Sequence, residues 1–516
     1  MTYFLAIDIG TESARAAVFT EEGVRVGDGS ATYPTSYPRP GWAEQDPVQW
    51  WNSAAEAARE ALAQAGTSSV EGIGVATTSS SVVVLDDAGR PLRPALLWMD
   101  ARATAQSRRT AETDHPALKF SGGSDSSEWL VPKAMWVAEH EPELYRASAM
   151  IGESVDYLTY RLTGEWLGSR LNATCKWNYD SREADVPHDL YALLGVPDLG
   201  EKLPRDIRPV GAPAARITDE AAAKLGLDNR PMVGIGGIDA HFSLVALRGL
   251  SANPVSIVAG TSNAFIAELD DPVFSPTIWG PYPQALSDKW LVEGGQVSAG
   301  SSLTWLAERV LGFSRERIQA LIADASAVRP VTHGLLVLDN FMGNRTPLRD
   351  PQLRGAILGA SLATTPAELY RATVESVAFG TRQVLDSFAD AGVDTRDVFI
   401  TGGIRHNALW LQTTADVLGR PISLVEGENL TLMACAAIAV TASGHAASLA
   451  EAAARLAPVA RIVEPSASGL DDLDGAYALY REATTATAGI HHALHDLVGR
   501  SDAAATAAAV APTVPA

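Results

Sequence analysis

Two segments of this 516-residue chain, one at its start and one near its middle, follow the same plan, and that repeat constrains the fold more than any other feature. The first runs as an apolar strand from Tyr3 into Asp8, then Gly10-Thr11-Glu12-Ser13, then a second strand to Phe19. The second runs Val255-Ser256-Ile257-Val258-Ala259, then Gly260-Thr261-Ser262-Asn263, then Ala264-Phe265-Ile266-Ala267-Glu268. Each reads as a hairpin whose turn can hold a phosphate. The glycine lets backbone approach an anion, hydroxyls add donors, and Asp8 can hold a magnesium ion. An ordinary hairpin with a polar turn is the alternative for one copy alone. Two copies point to two related lobes facing each other across a nucleotide. The pattern G-x-x-x-x-G-K-[ST] is absent, which argues against a P-loop ATPase.

The bulk properties agree. The length allows several domains with large cores. A net charge of -21 argues against nucleic acid or an anionic membrane as partner, but local amides and cations can still receive ATP. The two cysteines, Cys175 and Cys435, are far apart, which speaks for packing residues in a reducing cytoplasm rather than a disulfide framework. The N-terminus lacks the basic flank of a signal peptide, and no apolar run approaches the roughly 18 residues of a membrane span.

Strands fill residues 1–34, and Glu44 to Ala65 has helical spacing, with Trp50, Ala54, Ala58 and Leu62 on one side. Strands Val70–Val75 and Val82–Leu85 flank the polar run Thr77-Thr78-Ser79-Ser80-Ser81. The second half repeats the scheme: strands over about 255–293, a helix from Ser301 with Leu303, Leu306 and Val310 inward, and a long helix Pro366–Ala389 burying Leu369, Val374, Val377 and Val384. Strand Val398–Thr401 follows, then helices Leu409–Leu418 and Thr431–Ala442. The boundary is expected near Gly249–Pro254, which divides the chain into domains 1–250 and 251–485. A terminal helix end and tail fill 486–516, disordered from Ala503 on the strength of its Ala, Thr and Pro content.

Four motifs carry chemistry. In Gly234-Ile235-Gly236-Gly237-Ile238-Asp239-Ala240-His241 a strand delivers a carboxylate through glycines, either as a base for a hydroxyl nucleophile or as a helix cap. In Trp98-Met99-Asp100-Ala101-Arg102 an acceptor, a donor and an aromatic could bind a polyhydroxyl compound, or Asp100 and Arg102 could simply pair; Glu128-Trp129 before Lys133 is a similar mixture. In Thr401-Gly402-Gly403-Ile404-Arg405-His406-Asn407 two glycines could let a base or ribose lie on the backbone, or form a tight turn. His491, His492, His495 and Asp496 read as a solvated helix face before a metal site.

Together these pieces resemble the FGGY family of carbohydrate kinases, within the actin-like and chaperone-like ATPase superfamily. The marks are Asp8–Arg15, Trp98–Arg102, Asp156-Tyr157-Leu158, Gly237–Ala240, Gly260-Thr261-Ser262, Gly343-Asn344-Arg345-Thr346-Pro347, Gly355–Gly359 and Glu368–Glu375. The resemblance implies an α/β chain of two RNase-H-like domains with the active site in the cleft between them. It implies ATP and magnesium, with Asp239 as the catalytic base and Asp8 positioning the metal. Thr11, Ser13, Arg15, Gly260, Thr261 and Ser262 would hold phosphates, and Gly402, Gly403 and Asn407 the adenosine. Thr77, Thr78, Asp100, Arg102, Trp129 and Asp239 would meet the sugar. The expected substrate is a ketopentose of ribulose or xylulose type, with a linear polyol second and an ATPase acting on protein partners third. The expected partners are a small sugar and, as one option, a second copy in a homodimer. Ala76, where many ribulokinase-type sequences carry aspartate, and Leu130, where a small polar residue or proline is usual, bear on which sugar is used.

Overall fold

The computed structural model describes residues 1–331, 334–426, 429–466 and 470–510. Two mixed sheets of the same plan organise the chain. In the first, the strand Tyr3–Ile9 pairs antiparallel with Ser13–Thr20, which pairs antiparallel with Arg25–Thr32, while Gly72–Thr77 joins Tyr3–Ile9 in parallel. Met232–Gly234 and Gly237–Ile238 extend the parallel side, and Pro213–Arg216 forms the edge. In the second, Val255–Ala259 pairs antiparallel with Asn263–Leu269, which pairs with Trp290–Gln296, and Val398–Gly402 joins Val255–Ala259 in parallel. Ile422–Val425 and Ala460–Val463 follow outward. A hairpin, a third antiparallel strand and a parallel strand returning beside the first is the RNase-H-like order, present twice.

The register puts chemistry at the strand ends. Asp8 lies opposite Arg15 across the first hairpin and opposite Ala76 on the parallel neighbour. Val258 takes the corresponding place in the second sheet, two residues before Gly260, opposite Ala264 and Thr401. Loops leaving the carboxyl ends of both parallel cores therefore converge on one crevice, where open α/β sheets bind ligands.

Helices cover the sheets for local reasons. Pro47–Ala65 starts where Asp46 accepts a hydrogen bond from the Val48 N–H, with Pro47 in the first turn, and ends at left-handed Gly66. Glu44 and Gln45 form a short strand instead of the expected first turn. The Pro366–Asp390 helix is opened by a reciprocal cap between Thr365 and Glu368. The Ser301 region becomes a short helix, Gly300–Thr304, running into a π-helical turn, Trp305–Val310; the wider turn rotates Val310 out to solvent. The helix Leu470–Val510 continues through the stretch expected to be disordered from Ala503, and residues 511–516 lie outside the described residues. Of its histidines His491 is buried and His492 partly so, while His495 and Asp496 are exposed as a solvated face requires. Nδ1 of buried His491 accepts from the Arg354 N–H, and His492 Nε2 pairs with Asp350 at 2.6 Å.

One helix joins the two halves. Leu430–Ala442 follows the second sheet in sequence but packs on the Gly72–Thr77 and Tyr3–Ile9 strands of the first. A Cβ on Gly74 would stand 1.9 Å from the Cys435 carbonyl oxygen, and one on Gly72 would stand 2.3 Å from that of Ala439. Only glycine lets helix and strand backbones approach this closely. The alanine-rich helix faces these glycines, and the Cys435 thiol donates to the Ile7 carbonyl at 3.5 Å. Both cysteines are buried and unlinked.

Candidate active site

Two cavities meet at Asp239. The larger, about 770 Å³, lies between the lobes and is lined by Asp8, Arg15, Asp239, Gly402 and the start of the Leu430–Ala442 helix. The smaller, about 270 Å³, lies deeper and is lined by Thr11, Thr78, Trp98, Trp129, Lys176, His241, Trp279, Glu293 and Arg345. Asp239 and Ala240 line both. A group reaching from the small cavity toward the large one would pass the Asp239 carboxylate.

Asp239 arrives at the end of the Gly237–Ile238 strand, its N–H held by the Thr77 carbonyl at 2.9 Å. It does not cap the following helix, whose capping position is His241. Burial, and then the negative charge of Asp8, push its carboxyl up to about 7. Asp8 is also raised, by burial, while Arg15 and Asn429 oppose the shift. Arg15 Nη2 stands 3.6 Å from Asp8 Oδ2, and Asp8 Oδ1 is buried with no protein partner. Two mutually repelling carboxylates, one with an unused buried oxygen, form a hard-oxygen donor set of the kind that fits magnesium. The helix beginning at Leu430 turns its N-terminal end to the same space. Asn429 Oδ1 caps the Thr431 and Leu432 amides, and this end of the dipole favours phosphate.

The small cavity is braced from behind. Lys133 Nζ, fully buried, donates to the Ser80 and Leu97 carbonyls at 2.8 and 2.6 Å, and burial brings its ammonium down to about 7. Glu153 accepts from the Ser80 N–H at 2.6 Å and from Trp177 Nε1 at 3.0 Å. These bonds fix the Thr78–Ser81 loop. On the wall, Glu293 Oε1 meets His241 Nε2 at 2.7 Å and Lys176 Nζ at 3.4 Å. Burial opposes its charge, yet Lys176 and His241 hold the carboxyl well below the usual range. Lys176 also lies over Trp129, 4.8 Å from the ring centre, and Trp129 packs on Trp279 from the other lobe. At the rim Glu128 reaches Arg345 across the lobes at 3.4 Å.

The expected residues divide on this geometry. Asp8, Arg15, Asp239 and Gly402 meet in the large cavity, and Thr11, Thr78 and Trp129 line the small one. Thr11 is turned toward the sugar side, its hydroxyl accepting from Trp98 Nε1 at 3.2 Å. Ser13, Gly260, Thr261, Ser262 and Gly403 line neither cavity; the Thr261 carbonyl instead receives the Ala299 and Ser301 amides. Thr77 is buried behind the loop and accepts from the Ser154 hydroxyl. Asn407 caps the Ala408–Leu418 helix through the Trp410 N–H and donates to the Tyr370 hydroxyl at 3.0 Å, so its amide is spent on structure.

Asp100 and Arg102 need the firmest correction. Both side chains are fully buried. Asp100 accepts from the Ala43 N–H and from Arg102, while Arg102 also meets Glu44 at 2.8 Å and lies 3.8 Å from the Trp42 ring centre. The pair staples the 41–44 and 97–102 segments together and lies apart from both cavities. Lys176, Glu293 and Trp279, which no local pattern marks, stand in the small cavity instead.

A pair of RNase-H-like lobes closing on a cleft that ends in a small polar pocket is the architecture of a small-molecule phosphotransferase. The chain belongs to the FGGY family of carbohydrate kinases: the family's N-terminal domain matches residues 3–246 and its C-terminal domain residues 255–443. It is 29% identical to the FGGY carbohydrate kinase domain-containing protein of Danio rerio, covering 90% of this chain and 94% of the relative. It is 30% identical to a ribulokinase from Bacillus licheniformis, over 86% and 87% of the two chains. The crystal structure of a xylulose kinase from Rhodospirillum rubrum superposes with a TM-score of 0.85 at 27% identity, over 95% of this chain and 100% of the other. This protein is thus an ATP-using kinase that acts on a hydroxyl of a small sugar. Among the described residues, no helix is long and apolar enough to cross a membrane.

Proposed function

We propose that the chain phosphorylates a ketopentose of the ribulose or xylulose type, with Asp239 as general base. The observation that carries this reading is the position of Asp239 at the junction of a nucleotide-sized cleft and a sugar-sized pocket. The small cavity falls just below the roughly 300–1,000 Å³ of drug-sized sites, which suits a short polyol. Its charged wall offers acceptors and donors for several hydroxyls, and its indoles offer apolar faces. The likeness to ribulokinase and xylulose kinases supports a five-carbon ketose.

In this reading the sugar hydroxyl loses its proton to Asp239 Oδ as its oxygen attacks the γ-phosphorus; the bond to the β-phosphate oxygen breaks, leaving ADP. Asp239 works as the carboxylate. Arg15 and the Leu430 helix start offset the phosphate charge. Asp8, with Asp239 beside it, would hold magnesium, which would neutralise phosphate charge when bound. Closure of the lobes would exclude water and limit ATP hydrolysis. A cytoplasmic setting, where ATP is supplied, and a homodimer belong to the same proposal.

ADP release with magnesium-ATP, measured against ketopentoses, aldoses and linear polyols, tests it. The expected result is a strong response to one ketopentose that Asp239→Asn lowers by on the order of 10²-fold or more. A preference for a linear polyol or an aldose would overturn the substrate, and near-normal sugar-dependent turnover by Asp239→Asn would overturn the base.

A further inference from the structure

At the wall of the small cavity, three elements bring together two lining side chains and, behind them, a thiol that phosphoryl transfer does not require. The Arg170–Lys176 helix supplies Cys175, the turn after Gly237–Ile238 supplies His241, and the Trp290–Gln296 strand of the other lobe supplies Glu293. One ligand atom from each, the thiol sulfur, a ring nitrogen and a carboxylate oxygen, lies within 4.8 Å of the other two. We propose that this cluster binds a thiophilic divalent cation, zinc in the first instance, and that occupancy closes the sugar pocket.

The donor set is the ground for the choice of metal. Thiolate, imidazole and carboxylate together suit zinc, whereas magnesium takes oxygen ligands and dehydrates reluctantly. Bond lengths of about 2.0–2.3 Å place tetrahedral ligands roughly 3.4–3.7 Å apart, so the three groups need draw in by little more than 1 Å. Nδ1 of His241 is buried without a partner, so the ring can reorient without breaking a bond on that side. Cys175 is 1% exposed and lines neither cavity, so its sulfur is placed to meet His241 and Glu293 and not a substrate.

The charges balance as follows. The Cys175 S–H bond breaks, its proton leaves to water and a metal–sulfur bond forms, with no oxidation or reduction. Glu293 exchanges its contact with Lys176 Nζ, at 3.4 Å, for the cation. Glu293, His241 and Lys176 all line the sugar pocket, so the bound cation takes two polar groups out of it and drives the ammonium away. The inhibition is therefore directed at the sugar and not at ATP.

Chelator-treated protein titrated with zinc, and separately with cobalt, tests the proposal. Wild type should bind one equivalent, and the cobalt form should show a thiolate-to-cobalt charge-transfer band. Zinc should raise KM for the sugar by about tenfold or more with KM for ATP unmoved, and a chelator should reverse this. Cys175→Ala should keep the basal kinase activity, lose the band, and weaken zinc inhibition by about tenfold or more, since even outer-shell losses cost about 10–100-fold. Cys175→Ser provides a second variant if alanine disturbs the packing. Absence of bound zinc or of the cobalt band overturns the proposal, as does zinc inhibition unchanged in both variants. The cobalt band reports on the site whatever sugar the enzyme uses.

Discussion

Asp239→Asn separates what the buried carboxylate costs the fold from what it does for the reaction. Its carboxyl moves from 3.8 to about 7, chiefly through burial and then through Asp8. At 1.36 kcal/mol per unit that is about 4 kcal/mol against the charged form, and water in the open cleft reduces it to about 2 kcal/mol. The sign follows from proton uptake. Between about pH 4 and pH 7 the folded protein holds a proton that the unfolded chain has released, so this group's stability is complete at low pH and lost as pH rises through 7. Asparagine carries no such penalty. Without magnesium, the variant should therefore melt higher than wild type above about pH 7, by roughly 4–8 °C at 2–4 °C per kcal/mol for a lobe of this size. The gain should shrink to about a third of that near pH 5 and vanish near pH 4. Scanning calorimetry in a chelating buffer at these pH values measures it, and the same preparation should show kcat lowered by on the order of 10²-fold or more. A melting temperature at or below that of wild type above pH 7, or a gain independent of pH, would refute the reasoning.

Three further substitutions test other parts of the cleft. Asp8→Asn should abolish the thermal shift produced by magnesium-ATP and lower kcat by about 10²-fold; an unchanged magnesium response would remove Asp8 from the metal. Arg102→Ala should leave Asp100 and Glu44 buried beside an empty place and destabilise the fold by about 3–5 kcal/mol, with KM for the sugar unchanged in the folded fraction. A raised KM without a loss of stability would return Arg102 to the sugar site. Gly74→Ala should lower the urea midpoint by the equivalent of about 1–3 kcal/mol, because its Cβ would press on the Cys435 carbonyl; a wild-type midpoint would show that the helix can shift freely.

The sequence was most readable where chemistry depends on local order. Both hairpins follow from apolar runs broken by a glycine and hydroxyls, and Asp239 stands out as a carboxylate ending a strand through glycines. Asp100 and Arg102 show the limit. An acid and a guanidinium two residues apart, beside an indole, read the same whether they face a sugar or fold back on each other. The Ala43 N–H, Glu44 and Trp42 decide the matter, and they come from a distant segment. Asn407 was open to two uses, and the helix beginning at Ala408 claimed it as a cap. Lys176 and Glu293 had no local mark, because each acquires its meaning from a partner on the opposite lobe.

The helix Leu430–Ala442 bears on how this chain could be divided. A gene cut near residue 250 would give an amino-terminal fragment that retains every strand of the first sheet yet lacks the cover over Gly72 and Gly74. Its partner fragment would display an alanine-rich, nearly uncharged helix with nothing to lie on. Neither piece would be soluble alone, and co-expression should rescue both, the later fragment supplying the earlier one's missing layer. The enzyme is two lobes in space, but each completes its layers only in the presence of the other.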